Sequence, residues 1–203
     1  MANYFFGLKP TEDSLLKILD YSSELKNLFT HADFSFTDKN NLHLTLLFLG
    51  KLKDEQVKSA KNILRELFSV KKNPPFSSLN QKALVSSAVK NLASSYSSNN
   101  LFTEFLEALY LGEPPRLVCL SGKASFAILN LKRLLEKEAM EKNLLLEGRA
   151  KKNFLPHITL LRFPPTKKTL PPLPKLSPFT CSFEAPALFT RQEQENGYYY
   201  LKV

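Results

Sequence analysis

Alternation and helical periodicity divide the 203-residue chain into a series of short elements. Tyr4-Phe5-Phe6-Gly7-Leu8 reads as a strand stopped by Pro10. Thr11 can cap a helix running to about Phe29, with Leu15, Ile18, Leu19, Ser22, Leu25 and Phe29 near one face. A polar stretch through Asp38 and Asn41 leads to Leu42–Gly50, which reads as a buried strand. Asp54 looks like the cap of a second helix carrying Val57, Ala60, Leu64 and Leu67. Phe76 to Val85 predicts a strand or hairpin, and Ser86 to Asn100 an exposed, mobile excursion rich in serine and asparagine. Leu101 to Leu111 has the spacing of a short amphipathic helix.

The opening theme then returns. Arg116 to Gly122 is a strand ending in glycine, and Ser125 to Lys142 is a helix with Ile128, Leu131, Leu134, Leu135 and Ala139 apolar. A basic loop after Gly148 leads to a second buried strand, Phe154 to Phe163, broken by Pro164-Pro165. Gly7 and Gly122 lie 115 residues apart, and His43 and His157 lie 114 apart. Strand, helix and histidine strand thus recur in the same order, a two-fold internal repeat that predicts two facing lobes. The tail is proline-rich after Leu170 and ends in strand-like runs, Phe179–Phe183, Ala187–Thr190 and Tyr198–Val203. The polar turn at Glu195-Asn196-Gly197 predicts a hairpin between the last two.

The repeat carries a phrase, His43-Leu44-Thr45-Leu46 and His157-Ile158-Thr159-Leu160. In a strand, residues i and i+2 share a face. His43 therefore sits beside Thr45 and His157 beside Thr159, with the intervening aliphatics turned into a core. The chain has three histidines, and two of them match. The accidental rate for such a double match is on the order of a few in ten thousand. His31 lacks the threonine and falls in the polar loop after the first helix, which places it on the surface.

Composition narrows the setting. Hydrophobic content of 43% and charged content of 23% belong to a soluble globular chain. The start has no basic region before an apolar stretch, and no apolar run approaches the ~20 residues of a membrane helix. Cys119 and Cys181 stand apart without a CxxC pattern, as expected of reduced thiols in a cytoplasmic protein. The net charge of +9 leans toward a polyanionic partner. Lys51 and Lys53 follow the first phrase, and Arg149, Lys151 and Lys152 precede the second.

Two imidazoles, each with a hydroxyl neighbour, suit in-line attack of water on a phosphodiester. An imidazole with a pKa near ~6.5 serves as base when neutral and as acid when charged. The hydroxyls can donate to the non-bridging oxygens, where charge builds. No HxxxH or cysteine cluster marks a metal site, although Asp33 or Asp38 could in principle join the histidines around zinc. No cofactor is expected.

Asn-Leu-His-Leu-Thr-Leu-Leu-Phe-Leu-Gly and Leu-Pro-His-Ile-Thr-Leu-Leu-Arg resemble the paired motifs of the two-histidine (2H) phosphoesterase superfamily. Flanks and spacing are similar to those of its bacterial branch, the RNA 2′,3′-cyclic phosphodiesterases, also called 2′-5′ RNA ligases. The resemblance covers nearly the whole chain. It implies an α+β, bilobal fold with a pseudo-two-fold repeat, antiparallel sheets lining a central cleft and helices outside. The halves would be about 1–73 and 115–170, with strands in 179–203 completing a sheet and 74–114 as a variable, insertion-like segment. It also implies metal-independent hydrolysis of a terminal 2′,3′-cyclic phosphate by a cytoplasmic monomer, with RNA as partner and no membrane. On that pattern His43 is the proton donor, His157 the proton acceptor, and Thr45 and Thr159 hold the phosphate. Arg162 matches an arginine common in the branch, but strict alternation puts it on the face opposite His157, so it needs a bulge or a twist at the strand end. Leu47 stands where a lysine is common. Phe48, Phe154 and Phe163 could stack on a base, yet core packing is the commoner role, and Phe48 shares parity with Leu44 and Leu46 and should point inward. Reversible 2′-5′ joining, hydrolysis of another cyclic or 2′-5′ linkage, and a non-catalytic RNA-end or phosphate-binding module are the alternatives.

Overall fold

A computed structural model describes residues 2–31, 33–68, 100–145, 153–194 and 197–203. The stretches expected as a strand or hairpin (Phe76–Val85) and as a mobile excursion (Ser86–Asn100, save its last residue) lie outside the described residues. So do Arg149, Lys151 and Lys152.

The element order is β1 (Asn3–Leu8), α1 (Glu12–Leu28), β2 (Ser35–Phe36), β3 (Leu44–Lys51), α2 (Asp54–Phe68), β4 (Phe102–Leu111), β5 (Leu117–Ala124), α3 (Phe126–Glu141), β6 (His157–Arg162), β7 (Phe179–Ser182), β8 (Ala187–Gln194) and β9 (Gly197–Lys202). All the pairings are antiparallel and form one nine-stranded sheet in the order β7-β4-β5-β6-β3-β1-β8-β9, with β2 on β6. The sheet thus falls into two quartets, β6-β5-β4-β7 and β3-β1-β8-β9. They meet at one residue pair, Leu44 and Ile158. The tail is split between them: β7 joins the quartet of the second motif, and the β8–β9 hairpin joins that of the first.

The helices start and stop where local chemistry dictates. Ser125 caps α3, its Oγ accepting from the Ile128 N–H at 3.4 Å and donating to the Asn100 carbonyl at 2.8 Å. Asn143, at φ 52°, ends it, with the Leu144 N–H bonded to the Ala139 carbonyl at 2.8 Å. Thr11 occupies the cap position of α1, but its hydroxyl bonds Ser14 Oγ at 3.1 Å instead of a backbone N–H. Gln56 reaches back to the Lys53 N–H at 3.0 Å in front of α2, as the third residue of a capping box does. Ile18 and Leu25 of α1, Ala60 and Ile63 of α2, and Ile128, Leu131 and Leu135 of α3 are buried in one continuous core with Leu44, Leu46, Ile158 and Leu160.

The segment Leu101–Leu111 is a strand, not a helix. Thr103 and Phe105 are buried while Phe102 and Glu104 are exposed, which is period two. A bulge then places Phe105 opposite Gly122 and Glu107 opposite Ser121, leaving Leu106 as the extra residue. Beyond it the alternation is out of step, so Leu101, Phe105 and Ala108 fall at the spacing of a helical face. Pairing with β5 on one edge and β7 on the other decides for the strand.

A candidate site for phosphodiester chemistry

Antiparallel register at the waist sets the site. Leu44 faces Ile158 across the pair, and both side chains are fully buried on the core side. The residues flanking that pair turn the other way. His43 and Thr45 flank Leu44 on one strand, and His157 and Thr159 flank Ile158 on the other. All four line one cleft of about 220 Å³. The two phrases expected to converge do converge.

The imidazoles are anchored alike. His43 Nδ1 lies 2.6 Å from the Asn41 carbonyl and His157 Nδ1 lies 2.8 Å from the Leu155 carbonyl. A carbonyl only accepts, so each ring carries its proton on Nδ1 and leaves Nε2 as the atom for the cleft.

Both strands bulge immediately after their threonine. In β3, Gly7 of β1 pairs with Thr45 and Phe6 with Leu47, which makes Leu46 the extra residue. In β6, Cys119 of β5 pairs with Thr159 and Val118 with Leu161, which makes Leu160 the extra residue. Two consecutive leucines are buried at each place, and alternation resumes with its phase reversed. Arg162 is thereby carried to the face of His157 and Thr159 and lines the cleft, by the bulge it needed. The same device overturns the expectation for Phe48. Its side chain is 42% exposed, pairs with Phe5 of β1 and lines the cleft. Phe48 and Arg162 stand 114 residues apart, as the histidines do, so they are equivalent positions in the repeat. Leu47, by contrast, is buried. Phe163 is buried, and Phe154 is half-buried against the core under the Lys132 ammonium, 5.4 Å from its ring centre.

The equivalent histidines have different surroundings. His43 is boxed by Phe5 at 4.7 Å and by Tyr200 at 4.6 Å between ring centres, with Phe189 beyond at 6.5 Å. Burial among these rings pushes its pKa down to about 4, although the Asn41 carbonyl favours the charged ring, and the nearby charges of Arg162, His157 and Lys9 push it further down. Asn41 is 7% exposed and does two things: its carbonyl holds His43, and its Oδ1 accepts the backbone N–H of Tyr200 at 2.9 Å. The C-terminal hairpin is thus fastened to the residue that orients the first imidazole.

Sequence reading missed Asn3, Phe5, Arg191 and Tyr200, all of which line the cleft. Phe5 and Tyr200 were legible only as members of strands. Their role follows from β8 pairing with β1, a contact between chain ends that no local pattern encodes. His31 is on the surface, with Asp33 Oδ2 3.2 Å from its Nδ1. Among the described residues no group of three His, Cys, Asp or Glu side chains could hold a metal ion. Cys119 and Cys181 are free and buried, and burial raises both thiols to about 12. No helix among the described residues is long and apolar enough to cross a membrane.

Residues 8–85 match the family model described as LigT like Phosphoesterase. Over that stretch the chain is similar to that family. No curated protein matches it. Among solved structures it is similar to TT0787 of Thermus thermophilus, at TM-score 0.69 and 20% identity over 99% of this chain and 94% of that one. It is also similar to E. coli LigT in apo form, at TM-score 0.62 and 18% identity over 100% and 94%, and to E. coli LigT complexed with 3′-AMP, at 0.64 and 19% over 100% and 95%. At these identities the structures establish the fold: an α+β arrangement of helices outside an antiparallel sheet, shared along nearly the whole chain.

Proposed function

We propose that this protein is a phosphoesterase that hydrolyses the 2′,3′-cyclic phosphate at an RNA end to a 2′-phosphate, without a metal ion, using His43 as proton donor and His157 as proton acceptor. The observation that supports it best is the pair of opposed imidazoles, each with Nδ1–H held by a backbone carbonyl and Nε2 left for the cleft. A water oxygen attacks phosphorus as His157 Nε2 takes its proton. The bond from phosphorus to the 3′ oxygen breaks, and His43 Nε2–H supplies the proton that oxygen needs. Thr45 and Thr159 donate hydrogen bonds to the non-bridging oxygens, and Arg162 adds positive charge where negative charge grows. Phe48, exposed in the cleft, offers a face for the terminal base. E. coli LigT structures complexed with 3′-AMP and with phosphate support nucleotide and phosphate as ligands of this fold.

Burial holds His43 neutral in the free protein, the wrong state for a donor. A bound phosphodiester brings a negative charge beside the ring and favours the imidazolium, so the proton enters with the substrate. Joining of RNA ends through a 2′-5′ bond is the same step with a 5′-hydroxyl in place of water as nucleophile, and it uses the same two groups.

Incubation with 2′,3′-cyclic nucleotides and cyclic-ended oligonucleotides in EDTA tests the reading. The expected product is the 2′-phosphate, and His43→Ala and His157→Ala each lower kcat at least about 100-fold. Inactivity of the unaltered protein, or undiminished activity of either variant, rejects it.

A further inference from the structure

The cleft does not end at the imidazoles. Asn3 and Arg191 line it and also line a second, more open cavity of about 470 Å³ together with Ala2, Gln192 and Glu193. The two cavities therefore share Asn3 and Arg191 in their walls. Sheet register explains the sharing. On β1, Phe5 and Asn3 follow one another on the cleft face, and Phe5 pairs with Phe189 of β8. Arg191, two residues past Phe189, shares that face and pairs with Tyr200 of β9. The groove thus runs from the histidines past Phe5 to Asn3 and Arg191, away from Arg162.

We infer that this extension is a subsite for the nucleotide upstream of the RNA end, with Arg191 and Asn3 contacting the phosphodiester that joins it to the terminal nucleotide. The inference rests on the reading of the cleft as an RNA-end site. The chemistry of the groove fits that ligand. A cyclic-ended nucleoside has one anionic centre, and the histidines, threonines and Arg162 already surround it. The next anion along an RNA chain is the 5′ phosphodiester of the same nucleotide, one sugar away. Arg191 is a planar donor suited to phosphate oxygens, and Asn3 adds an amide donor. Arg191 is 42% exposed and stands 3.9 Å from Glu193 Oε1, whose carboxylate is 85% exposed. Glu193 lines the outer cavity as well and acts against a phosphate there, so the subsite recognises one linkage and its sugar weakly instead of gripping a long strand.

Calorimetric affinities for cytidine 2′-phosphate and for a dinucleotide ending in cytidine 2′-phosphate test this, because binding is read whether or not turnover occurs. The dinucleotide is expected to bind about fivefold tighter, as one partly exposed charge contact allows. Arg191→Gln and Asn3→Ala bring the ratio toward one, Arg191→Lys keeps part of it, and Glu193→Gln raises it, a gain that damage to the fold cannot produce. The slope of log affinity against log salt for the dinucleotide flattens by about 0.7 in Arg191→Gln. Equal affinities in the unaltered protein, or a ratio unmoved by Arg191→Gln and Glu193→Gln, overturn the subsite. Absence of hydrolysis with the ratio intact rejects the proposed reaction and leaves the subsite standing.

Discussion

Asn41 and Leu155 occupy equivalent places in the two halves, and each offers its carbonyl to the imidazole two residues on. Only Asn41 adds a side-chain bond, to the β9 backbone. Asn41→Ala removes that bond, lets β9 and Tyr200 move off the His43 ring, and readmits water. The expected result is a His43 pKa shifted upward from about 4 toward 6.5, read by NMR titration of the ring, with kcat falling more than KM changes. A variant with an unmoved titration shows that β9 does not govern the ring. The lowered pKa also shapes the pH dependence of turnover. One histidine must hold a proton while the other lacks one, so kcat/KM is expected to be bell-shaped against pH with one limb at about 4 for His43 in the free protein, and that limb moves to higher pH in kcat because bound phosphate stabilises the imidazolium. A kcat/KM profile with no limb near 4 shows that burial does not hold the ring neutral in the free protein.

At the scale of elements, two bulges and one glycine shape the site. Without the extra residues Leu46 and Leu160, Phe48 and Arg162 would point into the core. Bulge position depends on how a partner strand pairs, so alternation along the motif alone put Phe48 on the wrong face. Gly122 shows the same dependence from the other side. A Cβ there would stand 1.9 Å from the Glu104 carbonyl oxygen, at the bulge where β4 crosses β5. Gly122→Ala must push two paired backbones apart, and we expect a loss of at least about 2 kcal/mol in urea unfolding. The same disturbance travels along β5, whose Ser121 pairs with His157, so hydrolysis by the surviving folded fraction is expected to fall too.

At the scale of the molecule, the two quartets share a single strand pair at the waist but one apolar core. Helix α1, from the first half of the chain, reaches across: Ser14 Oγ accepts the Ser182 N–H of β7 at 2.8 Å, and the Tyr21 hydroxyl donates to the Pro174 carbonyl, in the segment before β7, at 2.8 Å. The tail is therefore part of both halves. A buried neutral histidine at the waist also ties stability to pH. Folding lowers the His43 pKa from 6.5 to about 4, so between these values the unfolded chain holds more protons. The stabilisation is complete above pH 6.5 and is lost as pH falls to about 4, by up to about 3 kcal/mol. Urea unfolding across that range is expected to show a steeper loss for the unaltered protein than for His43→Gln. Parallel curves would mean that the ring titrates freely in the folded state.

Residue chemistry written along the chain was enough to locate the strands of both motifs, the three helices among the described residues, the repeat, and the two histidine–threonine pairs. These depend on spacing within a few residues, where period and side-chain type act locally. Which side chains stand beside the histidines was not legible. Phe5, Phe48, Asn3, Arg191 and Tyr200 reach the cleft through strand pairings between residues far apart in the chain and through bulges that reverse alternation. The same pairings made a strand of Leu101–Leu111. Tertiary structure also separated two imidazoles that the sequence presents as equals. One is enclosed by three aromatic rings and held neutral, and the other, 114 residues on, anchors to Leu155 on the opposite side of the waist.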